Sequence, residues 1–153
     1  MNHINHTMHD FYVLLKRQYE IYEIICTLCQ EDRQFIERDE IDLLRQSIGK
    51  KHVLLNDIMC LEKDIATLKE EWNRYKEKVC DPLKTNILSL LNDFKALMEK
   101  IVTYQKENEK ILFERNSKHV EELNMVRKGK NLSKAYSVYG NSIPHSRFMD
   151  KVK

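Results

Sequence analysis

The chain has 153 residues, 42% hydrophobic and 33% charged, with only three glycines and two prolines. So few turn formers exclude a β-sandwich or barrel, which needs a turn about every 8–12 residues, and the length suits one domain rather than two. The net charge of +2 is unevenly spread: from Arg127 onward seven cations face one acid, Asp150, so this end carries +6 and the remainder −4.

High charge with leucine and isoleucine at regular intervals predicts an all-α fold of long amphipathic helices. No apolar run approaches the ~18 residues of a membrane span. The opening "MNHINHTMHD" has neither the basic start nor the apolar core of a secretory signal. The expected setting is the cytoplasm, without membrane insertion and with the four cysteines as reduced thiols.

Residues 1–9 read as a flexible N-terminus. A first helix opens at Asp10, a good N-cap, and carries Phe11, Leu14, Leu15, Ile21, Tyr22, Ile25, Leu28, Cys29, Phe35 and Ile36 largely at helical spacing. The phase resets around "ERDE", where Asp39 is a second N-cap. The next helix aligns Ile41, Leu44, Ile48, Leu55, Ile58, Leu61, Ile65, Leu68, Trp72, Tyr75 and Val79, interrupted by Gly49 at a cost of ~1 kcal/mol. "CDPLKTN" marks the clearest boundary, since Asp81 can cap and Pro82 suits the first helical position. A third helix then runs through Leu83, Ile87, Leu90, Leu91, Phe94, Leu97, Ile101, Ile111, Leu112, Val120, Leu123 and Val126 to a stop at Gly129.

Short connections make consecutive helices antiparallel, giving an elongated bundle or coiled coil over residues 10–128. Residues 129–153 form a flexible, basic, tyrosine-containing tail. A reversal near Arg38 pairs the first two helices only up to about Ala66. That leaves the end around Trp72 and Phe94 uncovered, a face for a partner, for a second copy in a homo-oligomer, or for a third helix that breaks and folds back over it. It also carries the third helix beyond its neighbours from about Glu121.

Chemistry is sparse. Cys26 and Cys29 have the spacing of half a zinc site or of a redox pair, but no fourth ligand arrives and no strand is present to frame a redox motif, so both read as small apolar side chains in or beside the core. His3, His6 and His9 recur every third residue and offer at most weak metal binding. There is no phosphate-cradling glycine loop and no nucleophile–base set, so neither enzyme activity nor a cofactor is expected. "RKGKNLSKAY" mixes cations with an aromatic as single-strand nucleic-acid binders do, yet the cations are few and the body is acidic. Protein–protein recognition is the remaining class. A structural coiled-coil adaptor is its plainest form, and a nucleic-acid-binding helical protein is the further alternative.

Three stretches resemble the FlgN-type flagellar export chaperones, which escort hook-associated proteins to the type III export apparatus: "ERDEIDLLRQSIGKKHVLLNDIMCLEKDI", "ENEKILFERNSKHVEELNMV" and "YGNSI". The resemblance implies the hook-associated proteins FlgK and FlgL as clients, bound through their disordered ends, and the export gate FlhA as the receiving partner, with no cofactor. The apolar seam Ile111, Leu112, Val120, Leu123 and Val126 is then the expected client-binding surface. Tyr136 and Tyr139 are expected to dock at the gate, because tyrosines give large contact area with few rotors to freeze.

Overall fold

A computed structural model of the protein describes residues 2–115. These form three α-helices of nearly equal length, α1 (Asn2–Glu37), α2 (Ile41–Tyr75) and α3 (Asp81–Arg115), with a short 3-10 turn at Lys76–Lys78. No strand occurs among the described residues. The all-α bundle expected from composition is therefore what forms. Val120, Leu123, Val126, Tyr136, Tyr139 and the boundary near residue 129 lie outside the described residues.

Burial follows steps of three and four along each helix. In α1 the seam is Met8, Phe11, Leu15, Gln18, Tyr22, Ile25, Cys29, Asp32 and Ile36. In α3 it is Ile87, Leu91, Phe94, Met98, Ile101, Gln105, Asn108 and Leu112. In α2 it is Leu44, Ile48, Lys51, Leu55, Ile58, Ile65, Lys69 and Trp72, with half-buried Glu62 filling the gap. A repeat averaging 3.5 residues keeps one seam facing its neighbours over a whole helix, as in coiled coils. Helix α1 lies closest to both others. It runs parallel to α3, as Asn5 meets Cys80, Gln30 meets Tyr104 and Arg115 meets Ile36. It is antiparallel to α2, with Phe11 against Trp72 at the far end and Asp32 against Lys51 near the turn.

The α1–α2 turn is closed by Asp39, whose φ of 56° is left-handed. The Glu40 N–H donates to the Phe35 carbonyl at 2.8 Å and the Asp39 N–H to Ile36 at 3.2 Å. This is the bond pair of a Schellman stop, with a short polar residue in place of the usual glycine. Asp39, expected to cap α2, thus terminates α1 instead, and Glu40 occupies the α2 N-cap without a side-chain cap bond.

The N-terminus departs from expectation. Residues 2–9 are not a flexible lead-in but the first turns of α1, and Asp10 lies inside the helix. Their support is tertiary. Met8 is buried at 1% exposure, and Ile4 packs on the same core. The Asn5 Oδ1 accepts the Cys80 N–H at 3.1 Å, satisfying a backbone donor just ahead of α3. A polar segment with Ile4, Met8 and Phe11 on one stripe becomes helical because that stripe has Trp72 and Val79 to dock on.

The end around Trp72 and Phe94 is consequently covered: Trp72 is 2% exposed and Phe94 is fully buried. Phe11 sits 6.2 Å from Trp72, while Tyr19 and Tyr22 stack edge-on against Phe94 at 5.2 and 5.9 Å. Register contributes as well. Partners on α2 lie six positions further along than a reversal at Arg38 predicts, as Asp32–Lys51 and Phe11–Trp72 both show. Helical side chains lean toward their own N-terminus, which in an antiparallel pair displaces the meeting residues in this direction.

Candidate client-binding site

The apolar interior is in two parts. The main cluster runs from Met8, Trp72 and Val79 up to Cys29, Leu55 and Ile101. A smaller one beside the α1–α2 turn consists of Ile36, Leu44, Ile48 and Leu112, with Phe35, Ile41 and Ile111 packed against it. Between them the same seam positions carry polar side chains: Asp32, Lys51, Gln105 and Asn108, all at most 6% exposed.

This polar layer is well connected. Lys51 Nζ pairs with Asp32 Oδ2 inside the bundle. The Asn108 amide is used at both ends, its Oδ1 accepting from Arg33 Nε at 2.8 Å and its Nδ2 donating to the Cys29 carbonyl at 2.8 Å. Arg33 also reaches Glu107 at 2.7 Å, and the Cys29 thiol donates to Gln105 Oε1 at 3.6 Å. A cavity of about 20 Å³ opens beside the layer, lined by Asp32, Lys51 and Asn108 on one side and Ile36, Ile48 and Leu112 on the other.

At the last turn of α3, Arg115 Nη1 donates to the carbonyls of Ile36 and Glu37 at 3.1 and 2.9 Å, and the guanidinium lies 3.7 Å from Asp39. A cation is thereby placed on the orphan carbonyls that end α1. Helix α3 therefore reaches the level of the turn at Arg115, some six positions before the Glu121 expected from sequence.

Of the five expected client-binding residues, the structure describes two. Leu112 is 5% exposed inside the small cluster and Ile111 is half-buried against it, so neither presents an open face in the closed bundle. Phe113 does: it is 54% exposed on the same turn and precedes Val120 by seven positions. The apolar seam left it out because it falls one position off that line. A second concave surface lies at the opposite end, where Ile4, Thr7, Val13, Leu14, Leu68 and Tyr75 line shallow grooves between α1 and α2 edged by Asp10, Asp64 and Glu71.

Two of the four thiols fall where an apolar reading places them. Cys26 and Cys29 are in the core, and burial pushes the Cys26 thiol above its ordinary range, opposed by nearby Lys100 and assisted by Glu23. Cys60 and Cys80 are exposed. His3, His6 and His9 lie along the first turns of α1, with His6 Nε2 4.0 Å from Asp10. Among the described residues no three metal-type side chains converge, and no helix is long and apolar enough to cross a membrane.

A bundle of three equal helices with a polar layer near one end is a scaffold several unrelated proteins could share. Comparison with protein families decides the matter: the model described as "FlgN protein" matches residues 1–142. The chain belongs to the FlgN family. FlgN proteins are flagellar export chaperones, so a binding role rather than chemistry is the family's business. The match takes in all three described helices and continues through Tyr136 and Tyr139. No similar curated protein and no similar solved structure was found.

Proposed function

We propose that this FlgN-family protein is a cytoplasmic chaperone of flagellar type III export that binds hook-associated proteins of the FlgK and FlgL kind through their disordered ends. It then hands them to the export gate FlhA. The observation that carries this reading is the family match over residues 1–142. The end of α3 supports the placement of the client. Arg115 is level with the α1–α2 turn, yet apolar residues recur beyond it at Val120, Leu123 and Val126. Apolar side chains in a charged sequence are costly to leave wet, at roughly 25 cal/mol per Å², and an amphipathic client helix laid along them removes that cost.

The test is Leu123→Ala combined with Val126→Ala. Binding of FlgK, measured by calorimetry, is expected to weaken by about 2 kcal/mol or more with the melting temperature unchanged. Unchanged affinity removes these residues from the site, and loss of affinity together with unfolding assigns them to the core. The gate is tested separately. Tyr139→Ala is expected to lower client secretion while the client complex persists, and undiminished secretion from both Tyr139→Ala and Tyr136→Ala ends the gate-docking role. A second copy of the chain would compete for the same stripe, and the mass of the purified complex separates the two occupants.

A further inference from the structure

Two of the residues expected to meet the client are closed inside the bundle, and the surroundings of Leu112 bear on how they could be reached. The cluster that holds it is small and does not join the main core through apolar contacts, because Asp32, Lys51, Gln105 and Asn108 intervene on all three helices. On its outer side, among the described residues, Arg115 joins α3 to the end of α1, and its side chain is 43% exposed, so water competes for its bonds to Ile36 and Glu37. The inner boundary carries the cavity of about 20 Å³, where Asp32 Oδ1 meets no donor among the described residues and there is room for about one water.

We infer that the bundle end beyond the Asp32–Lys51 layer opens as one unit while the main core stays closed, and that this opening frees Ile111 and Leu112 for the client helix. The second half rests on the chaperone reading. A break within an apolar core exposes apolar surface on both sides of the gap. A break along this layer instead wets a carboxylate, an ammonium and two amides, groups that gain hydration when exposed. The layer is therefore the plane along which separation costs least. Protein segments commonly open in such contiguous cooperative units.

Hydrogen exchange on the full-length chain, with no client present, tests the opening. The amides of Leu44–Ile48 and of Asn108–Leu112 are expected to share one protection factor at least about 100-fold below that of Leu55, Ile58 and Ile101, with a step at Lys51 and Gln105. Ordinary fraying predicts a residue-by-residue decline toward the helix ends without a step, and that result, or equal protection throughout, overturns the inference. The double variant Asp32→Leu with Lys51→Leu joins the two clusters and is expected to erase the step. A step that survives in a folded variant shows that the polar layer is not its cause. Should that variant not fold, Ile48→Ala is expected to lower protection beyond the layer while leaving Ile58 and Ile101 unchanged, and a uniform fall across both regions overturns the inference. Association with FlgK completes the test. If the wild type binds and the folded double variant binds equally fast, opening is not on the path to docking and that half falls. If neither binds, the client assignment fails, while the exchange data still decide the opening.

Discussion

Met8→Ala puts the unexpected N-terminal turns of α1 to a quantitative test. A flexible terminus would absorb this change within about 0.5 kcal/mol. Here the Met8 side chain is 1% exposed and shares the main cluster with Phe11, Trp72 and Val79. Truncating a buried methionine to alanine costs about 2–5 kcal/mol, depending on how far the site collapses. The end of a bundle can close partly over the gap, which places the expectation near the low end, at about 2–3 kcal/mol. With a urea slope of ~1–3 kcal/mol per M, the midpoint should fall by roughly 0.7–3 M. Trp72 is the only tryptophan and is itself buried against this segment, so its fluorescence reports the relevant end directly. A chain lacking residues 1–9 also loses Ile4 and the Asn5 acceptor for Cys80, and its Trp72 emission should shift to the red even before unfolding. A Met8→Ala midpoint within about 0.2 M of wild type would refute the docking of this turn.

Two further expectations concern α2. Lys51→Met leaves the Asp32 carboxylate buried without its cation and should destabilise by about 3–5 kcal/mol, whereas Asp32→Leu with Lys51→Leu should be near neutral or stabilising; urea denaturation of both distinguishes this from a pair of independent, additive losses. Gly49→Ala should raise stability by about 0.5–1 kcal/mol, because the added methyl meets nothing within 4 Å on an exposed helical face, and a fall in melting temperature would contradict that.

The legible parts of the sequence were those written in apolar residues. Leu44, Ile48, Leu55, Ile58 and Ile65 lie on the predicted seam of α2, and the boundary at Asp81 and Pro82 falls where α3 begins. The polar seam was not legible, because a search for apolar periodicity passes over Gln18, Asp32, Lys51, Gln105 and Asn108. Each stands where the three-and-four spacing calls for a buried residue. The gaps between Ile48 and Leu55, and between Ile101 and Leu112, were the available signal. The N-terminal turns were hidden by composition: His3, His6, His9 and Asn5 look like solvent, and only Ile4, Met8 and Phe11 on a single stripe betray the helix. Register was missed for a geometric reason, since matching residues by height ignores the lean of the side chains. The depth of Leu112 depends on contacts with Ile36, Leu44 and Ile48 from two other helices, which no local pattern states.

The three helices of the described residues have a topological consequence. With α1 and α3 parallel, α1 starts at one pole of the bundle and α3 ends at the other, next to the α1–α2 turn. At 1.5 Å per residue, the 35 residues of α3 separate these poles by about 50 Å. A fourth antiparallel helix in place of this arrangement would bring the first and last helix ends back to a single pole. Here a tag or fluorophore at the N-terminus is kept about five nanometres from Arg115, so it can report on or immobilise the protein without standing in the way of whatever engages the far pole. The same separation makes a dye pair at Cys80 and on an introduced Glu114→Cys a ruler along the bundle axis, once Cys60 is replaced by serine.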